Sequence, residues 1–254
     1  MTTTKPKAAK AKKSTKSAKT EVLAIDVQSA DLTDIETPAL VVNLFRGVKK
    51  PGGATGAVDK ALGGIITQLI EDGEIKGSTG ETTMIHTLGK IKPSRELVAG
   101  LGPQDKFDVH VVRRVSAEVV RFLRRKGISS TATIAHGAGI GGLDPQESGQ
   151  AIAEGAHLGL YKFGTYLTNN SDATTEFERL TVVELDKVRA KAIDAGVKLG
   201  CTVAQAAITA RNMVNEPANH MTPSRMADAA RKMASEQGLN IEIMENAQMK
   251  KMGM

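Results

Sequence analysis

With 254 residues and 41% hydrophobic content, the chain can bury one large core or two modest ones, which places it among globular proteins. No apolar run approaches the roughly 20 residues of a membrane span, and the start lacks the apolar stretch of a secretory signal, so a cytoplasmic address without a membrane partner is expected. One cysteine, Cys201, excludes an intrachain disulfide framework and a cysteine-cluster metal site, and with no Trp, two Tyr and five Phe little is available to stack on exposed bases.

The net charge of +6 has a local origin. Residues 1–20 hold seven lysines and no acid, so the remainder carries a net charge of −1. This Lys, Ala, Thr and Ser tail cannot bury enough apolar surface to order itself, and reads as a disordered appendage whose alternative role is salt-sensitive polyanion binding.

From residue 21 the hydrophobic period switches repeatedly between 2 and 3.6, which predicts an α/β layer structure. Residues 22–27 and 39–45 read as strands, the second nearly continuous in apolar residues, as a strand covered on both faces should be. After the turn Pro51-Gly52-Gly53, the residues Val58, Leu62, Ile65, Ile66, Leu69 and Ile70 predict one amphipathic helix ended by Gly73. Residues 82–88 and 96–101 read as an antiparallel strand pair. Phe107, Val111, Val115, Val119 and Phe122 mark a long helix whose far end carries Arg121, Arg124, Arg125 and Lys126, cations suited to the negative end of the helix dipole.

A short strand at 131–135 runs into the glycine-rich turn at 136–142. A helix follows from Pro145 to about Phe163, then a strand at 177–185 and a helix over 186–213. Pro217 breaks that helix. Thr222 can cap a new one, with Pro223 at its first position and an end near Gly238. Residues 241–244 read as a further strand and 245–251 as the start of another helix. The expected division is a tail (1–20), an α/β domain (21–185), a linking helix (186–213) and an incomplete second α/β domain (214–254).

The best ligand candidate is the loop of Gly137, Gly139, Gly141 and Gly142, because glycine-rich backbone between a strand and a helix can cradle a phosphate with its amides. Its plain alternative is a connecting turn. Gly137, Gly139 and Gly142 fit G-x-G-x-x-G, but no acidic residue follows a second strand about twenty residues on, so the dinucleotide fingerprint is incomplete. Glu154 and His157, one helical turn apart, are half of a di-metal carboxylate site. Without a second such pair they read as ordinary helix surface. His86, His110 and His220 are isolated, no H-E-x-x-H or G-x-S-x-G occurs, and Cys201 falls in a helix interior where packing is its expected role.

Several segments, in order, resemble the leucyl aminopeptidase (cytosol aminopeptidase) family. They are Leu44-Phe45-Arg46-Gly47, Gly73-Glu74-Ile75-Lys76-Gly77, the run from Glu154 to Phe163 that begins Glu154-Gly155-Ala156-His157, and above all the run from Ala210 to Pro223. That last run looks like the family's A-R-x-L-x-N-x-P-x-N-x-x-T-P passage between domains. The resemblance covers residues 21–254 and implies a macro-domain-like mixed sheet flanked by helices, leading into a peptidase domain inside whose opening portion the chain is expected to end. It also implies metal-dependent release of amino-terminal residues from peptides, two divalent metals (Zn or Mn) in a full-length member, and homo-hexamers. The family's metal-binding and catalytic residues lie in motifs of the type K-G-x-x-x-D-x-G-G and N-T-D-A-E-G-R. Neither motif occurs, so no catalytic or metal residue is assigned here and no cofactor is expected to be held by this chain. Two other functions stand beside this reading: a macro-like module binding a phosphate-containing ligand, and nucleic-acid association through the lysine tail.

Overall fold

The structure is a computed structural model that describes residues 23–139, 141–166 and 175–254. The lysine tail and Val22, expected to open the first strand, lie outside these residues. Six strands form one sheet: β1 (Ala24–Gln28), β2 (Leu40–Phe45), β3 (Thr82–His86), β4 (Arg95–Gly102), β5 (Ser130–Ile134) and β6 (Arg179–Val183). Their spatial order is β1-β6-β5-β2-β4-β3, with every neighbouring pair parallel except β3 and β4, which are the antiparallel pair expected.

Strand β2 shows why the sheet is covered on both faces. Leu40, Val42 and Leu44 point into a core shared with Val58 and Leu62 of α1 (Gly53–Leu62) and Ile66 of α2 (Ile65–Glu71). Val41 and Phe45 point the other way, into a core with Val112, Val115 and Val119 of α3 (Val109–Arg125), Ile152 of α4 (Pro145–Leu160) and Ile193 of α5 (Lys187–Asn215). Alternation along a central strand therefore places one element in both cores, and each fully buried Val or Leu contributes about 1.5–3 kcal/mol.

The single helix expected over 58–70 is two helices. Gly63 and Gly64 both adopt positive φ (81° and 84°), a sequence of conformations that a helix cannot contain and that side-chain-bearing residues avoid. The Asp59 carboxylate then accepts from the Ile66 and Thr67 amides at 2.8 and 3.2 Å and caps the second helix. Asp108, Asp144 and Asp186 cap α3, α4 and α5 in the same way.

Helices α3, α4 and α5 pack at backbone distance. Glycines at the crossings leave no side chain in the way: Gly149 rests on Ile193, Gly155 on Arg113, Gly159 on Ala117, and Gly200 on Gln150 and Ala153. Thr222 caps α6 (Pro223–Gln237), which ends at Gly238 in the left-handed conformation, as the sequence predicts. The strand expected at 241–244 does not form. Those residues are irregular, since none of the described strands pairs with them and a lone strand leaves its amides and carbonyls without partners. Helix α7 (Asn246–Lys251) follows, with Glu245 and Gln248 forming a reciprocal capping box.

Candidate functional site

A cavity of about 420 Å3 opens at the carboxyl edge of the sheet. Chain direction explains it. The chain leaves β2 for α1 on one face and leaves β5 for α4 on the other, although β2 and β5 are neighbours. Loops departing to opposite faces part at that point and leave a crevice, the place where open α/β sheets take their ligands.

Four loop regions line it. After β1 come Ala30, Asp31, Leu32 and Thr33, and after β2 come Val48 and the stretch from Pro51 to Thr55. Gly137, Gly139 and Gly141 contribute after β5, and Glu184, Leu185 and Arg189 after β6. Its polar groups are unevenly spread. On the α1 side the helix opens with Gly52 as N-cap, without a capping side chain or an acid in its first turn, and none of the described residues accepts from the amides of Gly53, Ala54 or Thr55. On the β1 and β6 side stand two carboxylates. Asp31 accepts from the Thr33 amide at 2.8 Å and hydroxyl at 2.6 Å, which holds its carboxyl below the usual range. Glu184 pairs with Arg189 at 3.0 Å and accepts from the Asp186 amide at the same distance.

Of the glycines singled out in the sequence, Gly137, Gly139 and Gly141 line this cavity, while Gly142 does not. Two are explained by packing: a β-carbon on Gly137 or Gly141 would collide with the ring of Phe107. Gly137 and Gly142 also need positive φ (82° and 71°). A β-carbon on Gly139 would meet nothing within 4 Å, so packing does not require a glycine at that position.

The loop is anchored by His136, which is fully buried. Its Nδ1 lies 3.1 Å from the Asn43 amide nitrogen and its Nε2 lies 3.3 Å from the Thr133 hydroxyl, while its carbonyl accepts from the Ser148 hydroxyl at 2.8 Å. The amide can only donate to Nδ1, so the ring carries its proton on Nε2. Burial lowers the imidazole pKa to about 4 and keeps it neutral. Asn43, the one polar residue of β2, and His136 thus tie the glycine turn to the central strand; the polar interruption in an apolar run was the available sequence signal.

Glu154 and His157 are not helix surface. Both are buried, because the glycine-mediated approach of α3 encloses the outer side of α4. Glu154 forms an ion pair with Arg113 and accepts from Gln150 at 2.7 Å. His157 has no partner for its Nε2 among the described residues, and burial lowers its pKa. Cys201 is half-buried against the core, as expected of a packing residue. Glu154 and His157 do not converge on a further donor. Among the described residues no group of three or more His, Cys, Asp or Glu comes together as a metal site, so the side chains present do not fit a pair of divalent cations. No described helix is long and apolar enough to cross a membrane.

Two of the motifs that carry the family resemblance meet in space. The Tyr161 hydroxyl donates to Asn212 at 2.9 Å and accepts from Asn215 at 3.0 Å, with the Arg211 guanidinium 5.6 Å from the ring centre. Tyr166 bonds Glu216 and stands 5.7 Å from the His220 ring.

The parallel-rich sheet, its helical layers and its carboxyl-edge crevice define a protein of macrodomain-like α/β architecture. Residues 41–170 match the amino-terminal domain of the cytosol aminopeptidase family and residues 208–254 match that family's catalytic domain, and the chain belongs to this family. A probable cytosol aminopeptidase of Alkaliphilus oremlandii is 34% identical over 230 residues, which are 91% of this chain and 46% of that protein. The chain therefore spans a little under half the length of the curated relatives it matches. A tomato leucine aminopeptidase mutant shares the fold at a TM-score of 0.76 and 18% identity, over 94% of this chain and 47% of that one. The Oceanobacillus iheyensis macrodomain solved with ADP shares it at 0.54 and 14% identity, over 70% of this chain and 92% of that one.

Proposed function

We propose that this chain forms the amino-terminal half of a metal-dependent aminopeptidase, with residues 21–185 as scaffold domain, 186–213 as linking helix and 214–254 as the opening of the peptidase domain. In a protein of family length, two divalent cations (Zn or Mn) would supply an activated water and a polarised scissile carbonyl. Peptides would be its substrates, homo-oligomers its assembled form and the cytoplasm its place of work, in keeping with relatives named cytosol aminopeptidases.

The observation that carries this reading is the catalytic-domain match confined to residues 208–254. Within that stretch the side chains do not gather into a metal site. Cleavage would then depend on the part of the catalytic domain beyond the region matched here, and the 254-residue chain by itself would not hydrolyse peptides. The test is release of p-nitroaniline from leucine p-nitroanilide with added Mn or Zn. No metal-dependent turnover is expected from this chain, and clear turnover is expected from a protein in which a relative's remaining catalytic domain is joined after residue 254. Turnover by the 254-residue chain alone overturns the reading.

A further inference from the structure

We infer that Tyr161 and Tyr166 form a latch that holds the end of α5 and the turn after it against the amino-terminal unit, and so sets the course of the chain into its catalytic-domain segment. What the latch positions rests on the peptidase reading above; the latch itself does not.

The need for it follows from burial. The buried residues of α5 are Ile193, Gly196, Val197, Gly200 and Ala204, and past Ala204 the helix runs on to Asn215 without another. That stretch is about three turns, roughly 16 Å, outside the core. Pro217 then disfavours helix at Glu216, which is extended. Beyond the turn, Ala234 is the one buried residue of α6. Apolar packing therefore does little to fix where this segment points.

Polar contacts from the stretch after α4 take that role. Tyr161 and Tyr166 fall in the part of the chain matched to the amino-terminal domain and residues 211–220 in the part matched to the catalytic domain, so every contact between them crosses that boundary. The Tyr161 hydroxyl works as donor and acceptor at once, giving to Asn212 at 2.9 Å and accepting from Asn215 at 3.0 Å. These asparagines stand one turn apart on one face of α5. Asparagine is a weak helix former, and the shared tyrosine accounts for both. Tyr161 is itself the C-cap of α4, and Arg124 of α3 donates to the preceding carbonyl, that of Leu160, at 3.2 Å. The anchor thus reaches back into the helical layer.

Tyr166 grips both sides of the turn. Its hydroxyl donates to Glu216 before Pro217, and its ring stands 5.7 Å from that of His220 after it. The bond to Glu216 raises the phenol pKa, so the hydroxyl keeps its proton and remains a donor. Between these grips the turn is closed by the His220 and Met221 amides on the Pro217 carbonyl, at 2.8 and 2.9 Å, which carries the constraint through to α6.

The test is the distance between spin labels on the 254-residue chain, read by double electron–electron resonance. One label is placed by Arg125→Cys at the end of α3 and the other by Ser235→Cys on α6, both exposed positions, in a Cys201→Ala background. The labelled parent should give one narrow distance peak. Tyr161→Phe and Tyr166→Phe keep the rings and remove only the hydroxyls, so the melting temperature should hold while the peak broadens, about twofold in the double variant. Asn212→Ala cuts the Tyr161 bond from the α5 side and should broaden the peak as Tyr161→Phe does. A broad distribution in the parent, an unchanged peak in the double variant, or a narrow peak in Asn212→Ala overturns the latch. The measurement involves no turnover, so failure of the latch and failure of the peptidase reading show in different experiments.

Discussion

Gly196 of α5 sits directly on the backbone of Gln146 in α4, with no space between them for a methyl group. The same β-carbon would also stand 2.9 Å from the backbone nitrogen of Gln150, one turn further along α4. Substitution Gly196→Ala gains about 1 kcal/mol of helix propensity. It must also push apart two backbones, and overpacking of this kind costs about 1–3 kcal/mol or more. The second effect wins, and urea unfolding should show a lower midpoint for Gly196→Ala. Gly238→Ala has free space around it but a φ of 66°. Its loss should be smaller, about 1 kcal/mol, and traceable to backbone strain alone.

The same crossings separate what the sequence disclosed from what it hid. Local signals survived folding: the β2 run, the Thr222 cap and Pro223 at a helix start depend on neighbours within a few residues, and the antiparallel β3 and β4 pair joins segments close in the chain, whereas the aspartate caps of α3, α4 and α5 came only with the structure. The break at Gly63 and Gly64 was masked because Ile65, Ile66, Leu69 and Ile70 continue the apolar spacing of the preceding helix. Residues 241–244 have strand-like composition, but strand formation needs a partner that composition does not supply. Glu154 and His157 read as surface because α4 is rich in Ala and Gly, and small residues give little amphipathic contrast. Their burial follows from helices brought to backbone contact, a tertiary fact. The crevice was half legible: the loop at Gly137 stood out, whereas the uncapped α1 terminus joins it only through the order of the strands.

His136 should make the fold acid-sensitive. Its imidazole titrates near 6.5 when unfolded and at about 4 when folded, so between those values the unfolded chain takes up a proton that the native chain refuses. Stability from this group is therefore complete above pH 6.5 and is lost as the pH falls toward 4, by about 3 kcal/mol in all. Replacement His136→Leu should flatten the stability profile across that window. It should also lower stability at pH 7 by about 1 kcal/mol, because the partly buried Asn43 amide loses its acceptor. Chemical denaturation at a series of pH values from 4 to 7 reads both effects. An unchanged slope in the variant would contradict the neutral buried imidazole.

Arg113 and Glu154 form an ion pair of unequal exposure: the arginine side chain is 32% exposed and the glutamate 7%. Removing the arginine leaves a buried carboxylate with only the Gln150 amide, whereas removing the glutamate leaves a cation that can reach solvent. Arg113→Ala should cost the more, about 2–3 kcal/mol after allowance for screening on its exposed side. Glu154→Gln should cost about 1 kcal/mol, since the amide keeps the packing. Thermal unfolding of the two variants and of the pair decides the order, and equal losses would place the pair in water.

Glu96 gives the opposite pH dependence from His136. It lies in β4 beside Leu40 and Ile85, fully buried, and neither carboxylate oxygen has a partner among the described residues. Desolvation raises its pKa well above the usual value, so the native state holds the proton. Once the pH exceeds the ordinary carboxylate range, the unfolded chain has released its proton and the native chain has not. Stability is then greatest in acid and declines as pH rises toward the folded-state pKa, a sign opposite to that of a salt-bridged carboxylate. Glu96→Gln should keep the shape of the site and abolish this decline. Glu96→Met should also remove the unpaired polar atoms and stabilise the chain at pH 8 by about 1–3 kcal/mol. If denaturation midpoints of the parent and the Gln variant fall in parallel between pH 5 and 8, Glu96 holds no proton in the native state and must have found a partner in water.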